Sequence, residues 1–289
     1  MISFSALTID TFAQDIIEIQ PLFEYPSAPE ELATLEEKSD YLVEHFWDSM
    51  DFKSKSTVDQ NALNDAFKVF SVPLRWANRD KAIAATNKLL QTISKNLTLL
   101  LQFTKAAEET IYGPRAEVWV DEVYLKFLNT LVSNKKIPAQ RKKKYEDQLK
   151  VLSNALVGNV APEFKFEGLD GREATYFPMT TVTIIIFGDP RDTDWRISRL
   201  RMESNAALTD ALDKGKINIL YILPNKLDNW KNEVSGYSSK WTVGCGDKLN
   251  EIYDMRATPS VYLIGSDGKI LLKNTTLNMA VNKAFEQLK

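Results

Sequence analysis

The sequence predicts an α+β protein of two domains, an all-helical amino-terminal domain followed by an α/β domain with a mixed sheet. Three observations carry that expectation. The chain has 289 residues, enough for about two domains of ordinary size. Up to about residue 156 its apolar residues fall mostly on three-, four- or seven-residue steps, the spacing of one helix face. Beyond Gly158 they gather instead into short continuous runs rich in β-branched side chains, as in strands buried on both faces.

Taken in order, residues 1–29 read as an extended lead-in containing Pro21, Pro26 and Pro29. A helix start is expected at Ser27 or Ala28, just before Pro29 and two glutamates, opening a segment to about Met50. A shorter helix is expected over 58–70, stopping before Pro73. Residues 78–112 hold neither Gly nor Pro. Their apolar set, Ile83, Leu90, Ile93, Leu97, Leu100 and Ala107, predicts one long helix or two with a break near 94–96. Segments 117–132 and 140–156 complete five or six helices, the last with the stripe Tyr145, Leu149, Leu152 and Leu156. The helical domain is thus placed at 30–156, with no repeating consensus inside it.

The second domain is placed at 157–289, after a short linker at about 157–160. Val182–Phe187 and Ile217–Leu223 are its buried strands. The helix between them is expected to turn Ile197, Leu200, Leu208, Ala211 and Leu212 inward. Stretches 227–239 and 247–253 read as helical. Ser260–Ile264, the turn Ser266-Asp267-Gly268 and residues 270–273 make a hairpin, and 279–288 a closing helix. A right-handed βαβ unit followed by an antiparallel ββα unit satisfies that order.

Composition excludes several classes. At 44% hydrophobic and 26% charged the chain is ordinary globular protein, and its formal net charge of −3 provides no basic field for nucleic acid. The basic run Lys135, Lys136 and Arg141 to Lys144 reads as a solvated loop and helix start. The single cysteine, Cys245, can form neither an internal disulfide nor a thiolate zinc cluster. The single histidine, His45, leaves almost nothing for a triad or a multi-histidine metal site; with Glu44, Asp48 and Asp51 nearby it reads as a histidine bonded to a neighbour at the edge of the core. No metal and no cofactor are expected. No apolar run reaches the length of a membrane-spanning helix. Residues 1–14 read either as the remnant of an export signal, ending Phe-Ala-Gln but lacking a basic start, or as a frayed terminus.

Several motifs in the second half resemble the thioredoxin fold of redoxin and thiol-disulfide isomerase type. Val157-Gly158-Asn159-Val160-Ala161-Pro162-Glu163-Phe164 resembles its G-x-x-A-P-x-F lead-in, and Leu169-Asp170-Gly171-Arg172 the turn that follows. Ala257-Thr258-Pro259-Ser260-Val261-Tyr262-Leu263-Ile264, then Ser266-Asp267-Gly268-Lys269, resembles its proline loop and hairpin. The resemblance covers nearly all of residues 157–289 and implies a cis Thr258–Pro259 bond beside the redox loop. In relatives, Asp-Pro-x-Cys-x-x-Cys follows the first central strand. Here Asp189-Pro190-Arg191-Asp192-Thr193-Asp194-Trp195 stands there, which puts Asp192 and Trp195 at the cysteine positions. The helical half, through Tyr41-Leu42-Val43-Glu44-His45-Phe46-Trp47-Asp48, resembles a domain of unknown function that precedes thioredoxin-like domains in cell-envelope proteins of Gram-negative, mostly anaerobic bacteria. That implies export, to the periplasm or cell envelope.

The expected role is a redox-inactive accessory or protein-binding protein with a degenerate active site. Asp192 or Thr193 would cap the helix, and Trp195 would fill space under the proline loop. The functional alternative for this loop is a repurposed groove in which Trp195, Asp194 and Thr258 contact a ligand. A protein or peptide partner would lie against Thr258 and Pro259. The rival role is a thiol-disulfide oxidoreductase using Cys245 as a lone thiol with a thiol from a partner; a small residue in a glycine-flanked turn is the plainer reading of Cys245.

Overall fold

The computed structural model describes residues 21–53, 57–178 and 180–289; the segment read as an export-signal remnant lies outside them. Among the described residues six helices form the amino-terminal domain: α1 (Leu35–His45), α2 (Gln60–Leu74), α3 (Arg79–Ile93), α4 (Leu97–Ile111), α5 (Asp121–Ser133) and α6 (Ala139–Asn154). The first starts at Thr34 rather than at Pro29. The Thr34 hydroxyl accepts the Glu37 amide at 3.1 Å, and the Glu37 carboxylate accepts the Thr34 amide at 2.9 Å. This reciprocal cap satisfies two orphan donors, which a proline cannot do. Helix α2 runs through Pro73 instead of stopping before it, because the ring sits in the last turn, where little helix remains to be broken. The long segment divides at 94–96, where the Asn96 side chain accepts the Thr98 and Leu99 amides and opens α4.

The helices close on a cluster of rings. Trp47 lies 5.1 Å from Phe67 and 5.2 Å from Phe103, and Phe67 lies 5.9 Å from Phe127, centroid to centroid. The α6 stripe is shallower than expected: only Leu152 is fully buried, with Tyr145, Leu149 and Leu156 packed at the margin.

The second domain runs β1 (Phe164–Gly168), β2 (Glu173–Tyr176), β3 (Val182–Phe187), α7 (Thr193–Glu203), α8 (Ala206–Asp213), β4 (Ile217–Leu223), α9 (Trp230–Glu233), β5 (Thr242–Cys245), β6 (Ser260–Ile264), β7 (Ile270–Leu272) and α10 (Leu277–Glu286). The sheet order is β2-β1-β5-β4-β3-β6-β7. The pairs β3–β4 and β4–β5 are parallel and the others antiparallel. Strand β3 is buried throughout because its alternate residues serve two cores. Ile184 and Ile186 pack with Trp195, Met202 and Ala280. Ile185 and Phe187 pack with Phe164, Tyr253 and Tyr262, and with Ala155 from the end of the helical domain.

Four expectations need correction. The helix after β3 is two helices, separated where Asn205 caps α8. Its Ile197 and Leu200 are 48% and 57% exposed, whereas Trp195 and Met202 are buried, so the inward face is set by that pair. Stretch 227–239 holds only the single turn α9, and 247–253 only a 3-10 turn at Leu249–Glu251. Cys245 ends a strand, β5, rather than sitting in a turn. Gly244 beside it pairs with Gly168, and a Cβ there would meet the Phe166 ring at 2.3 Å, so only glycine lets β1 close on β5.

Residues 158–161, which join the domains, lie along β7. The Gly158 amide donates to the Ile270 carbonyl at 2.8 Å, the Ile270 amide to the Asn159 carbonyl at 2.8 Å, and the Ala161 amide to the Gly268 carbonyl at 2.9 Å. No helix among the described residues is long and apolar enough to cross a membrane.

Candidate functional site

Strand β3 delivers the chain to the carboxyl end of the parallel strands, the edge where open α/β sheets collect ligands. There Gly188 turns away. A Cβ built on it would stand 3.4 Å from the Pro259 Cβ and 3.4 Å from the Tyr221 hydroxyl, so this turn abuts the proline loop. The Thr258–Pro259 bond is cis. Asp189 is clasped by Arg191, whose hydrogen bonds hold its carboxyl below the usual range.

Asp192 is the N-cap of α7 and accepts the Trp195 amide at 2.7 Å. Thr193 and Asp194, in the first turn, are exposed. Trp195 points the other way. It is 1% exposed, stacked on Tyr221 at 4.9 Å and 7°, and donates its indole N–H to the Tyr237 hydroxyl at 2.7 Å. Burial raises the pKa of both tyrosines, so this cluster is neutral across the ordinary pH range.

On the other flank of the proline loop lies a groove of about 510 Å³. Thr258 and Pro259 line it with Arg201 and Met202 of α7, Val281 of α10 and Trp119 of the helical domain. Neither Asp194 nor Trp195 lines it, so a ligand site combining them with Thr258 is not formed. The reason is helix geometry: successive residues turn by about 100°, and the position that sends Trp195 under the sheet leaves Arg201 facing the proline loop. Thr258 is exposed, and its backbone makes no hydrogen bond among the described residues. Asn274, in left-handed conformation at φ 47°, also lines the groove; neither atom of its carboxamide finds a hydrogen-bond partner there.

The proline loop is tied to the helical domain through Arg256. Its guanidinium bonds Asp254 at 2.8 Å, Asp121 of α5 at 2.6 Å and the Tyr112 carbonyl at 2.7 Å. It also sits over the Tyr112 and Trp119 rings at 4.2 and 4.8 Å. Lys273 closes the set, 2.7 Å from Asp121 and 2.8 Å from Asp254. One buried and one largely buried carboxylate, Asp254 and Asp121, thus face two cations whose side chains are largely buried. Burial pushes the Asp254 carboxyl up, but hydrogen bonding to Arg256 and the charge of Lys273 outweigh it, and the net shift is downward.

Cys245 is not part of this assembly. It is buried on β5, which β4 separates from β3. Burial is the main reason its thiol pKa is raised. His45 is on the surface, bonded to Asp48 at 2.8 Å and tilted against the Tyr41 ring, away from the groove. No three His, Cys, Asp or Glu side chains among the described residues are grouped to hold a metal ion.

Reading the sequence missed Trp119, Asp121, Arg201, Asn274 and Tyr237. Asp254-Met255-Arg256, an ion pair's worth of charge directly before the proline loop, was the one available signal; its partner Asp121 is too distant along the chain to announce itself.

The family model described as "Domain of unknown function (DUF5106)" matches residues 5–155. No curated protein matches the chain. Among solved structures, a thioredoxin-like protein from Bacteroides caccae is similar over 91% of this chain and 98% of its own, at 19% identity and a TM-score of 0.76. The carboxy-terminal domain of an uncharacterized protein from Bacteroides fragilis covers 47% of this chain and 99% of its own, at 23% identity and a TM-score of 0.41. The thioredoxin domain of a thiol-disulfide oxidoreductase from Bacteroides vulgatus covers 46% and 99%, at 18% identity and a TM-score of 0.39. The full-length likeness shows the fold: a helical domain followed by a thioredoxin-like domain, here with one cysteine and so without a Cys-x-x-Cys pair.

Proposed function

We propose that this chain, which belongs to the DUF5106 family, is an accessory protein of the cell envelope that has given up electron exchange and binds a protein segment at its proline loop. The observation that carries the reading is what stands at the head of α7. Thiol chemistry on this fold needs a thiolate there, stabilised by the amino terminus of the helix. Asp192 meets the same field with a carboxylate, and Trp195 is buried with its N–H committed to Tyr237. Neither side chain can attack or resolve a disulfide.

Binding is supported by the free backbone of exposed Thr258, which offers a donor and an acceptor to an extended segment in the manner of strand addition. The rival, an oxidoreductase working through Cys245, asks a buried thiol with a raised pKa to ionise. Fold alone does not choose between these. The envelope location rests on the resemblance of the helical half to domains of exported proteins.

Insulin reduction by dithiothreitol separates the two roles. Wild type and Cys245→Ala are both expected to add nothing to the uncatalysed rate. A protein-dependent rate that disappears in Cys245→Ala overturns the reading in favour of the rival. Fractionation of the native cells is expected to recover the protein with the envelope; recovery in the cytosol removes that part of the proposal.

A further inference from the structure

Resting on that reading, we propose that the peptide groove is built by both domains: Trp119 forms a wall that touches the bound segment, and Asp121 is a positioning residue that holds the proline loop through Arg256. The geometry argues for both roles. Trp119 is the residue from the helical domain that lines the groove with Thr258 and Pro259. Its N–H is already spent on the Gly113 carbonyl at 2.9 Å, which fixes the ring and leaves it to act by apolar contact. Arg256 lies shortly before Thr258 in the chain and stacks on that same ring. Asp121 takes the Arg256 guanidinium at 2.6 Å and Lys273 at 2.7 Å, so one carboxylate of α5 holds the approaches to both the loop and the β7 end of the groove.

The occupant is an extended peptide. The groove offers a fixed ring, the apolar Met202 and Val281, and the free amide and carbonyl of Thr258, which match a main chain with intermittent side chains. Among the described residues Arg201 is the sole charged side chain on the lining, so the segment is neutral or carries a carboxylate at that point.

The test uses the full chain and an array of thiol-free peptides, with soluble oligosaccharides as a second panel. The best peptide is then titrated by calorimetry against variants. Trp119→Ala is expected to weaken binding by about tenfold or more. Asp121→Asn is expected to weaken it severalfold and Asp121→Glu to restore much of the loss. Leu128→Ala, a core cavity in the helical domain, costs stability without touching the groove and is expected to bind as wild type does. Wild-type affinity in both Trp119→Ala and Asp121→Asn overturns the two-domain groove while leaving peptide binding by the second domain intact. Equal loss in Leu128→Ala and Asp121→Asn overturns the positioning role, reducing it to stability. No peptide bound by wild type, or a sugar bound instead, sinks this inference together with the reading beneath it.

Discussion

The proline loop is gripped on two sides by opposite means. Toward the head of α7 its neighbours are rings: buried Trp195 on buried Tyr221, capped by half-buried Tyr237, and all neutral. Toward the helical domain they are charges: Arg256 and Lys273 against Asp121 and Asp254. The difference separates two jobs. Packed rings fill volume without regard to direction, and they are indifferent to pH. A buried ion cluster adds little net stability over an apolar core, yet it is directional and fails hard when one member is removed. The first region fills space; the second fixes a direction.

Five experiments break or sharpen that contrast. The largest effect is expected for Asp254→Ala, which leaves Arg256 and Lys273 with one carboxylate between them and costs about 3–5 kcal/mol by denaturant unfolding. The same residue makes the charged side sensitive to acid. Its folded pKa is depressed, so its contribution is complete above the ordinary aspartate value of about 3.9 and drains away as pH falls through the folded value. Stability measured below about pH 4 should fall more steeply in wild type than in Asp254→Asn; parallel curves would mean the cluster is not held by this carboxylate.

Next comes Trp195→Phe, which keeps the stack on Tyr221 but loses volume and the bond to Tyr237. The expected cost is about 1–3 kcal/mol, with no change in its pH profile. A pH-dependent loss would contradict the neutral character of this side. Asp192→Ala removes an N-cap and is expected to cost about 1 kcal/mol, seen as a small drop in melting temperature. A cost near zero would show that its side chain does not cap α7 in solution. Smallest of all is the response of Cys245 to a maleimide: labelling should be negligible in the native protein and complete in denaturant. Rapid native labelling would reopen the thiol reading.

Much of this was legible in advance, and the failures have physical causes. Val182–Phe187, Ile217–Leu223 and Ser260–Ile264 declare themselves because a strand buried on both faces must be apolar at nearly every position. Strands β1, β2 and β5 do not, since Phe164–Gly168 and Glu173–Tyr176 mix charges into short strands at one end of the sheet and Thr242–Cys245 is half glycine and small residues. Asp192 before a polar helix start is a local signal, and Trp195 three residues on can be placed from it. Ile197 and Leu200 mislead because periodicity counts apolar residues without knowing which of two stripes the sheet will take. The groove wall at Trp119 and the anchor at Asp121 depend on how two domains meet, which no window of sequence contains.

The backbone bonds that lay residues 158–161 along β7 have a mechanical corollary. A connector pinned to the turn and first residue of an outer strand is a poor swivel: for one half of the molecule to rotate away, three main-chain bonds must unzip and that part of the sheet rim is laid bare. Bare rims recruit whatever extended chain is nearby. Pulling the halves apart would therefore make the molecule sticky at the moment it becomes loose.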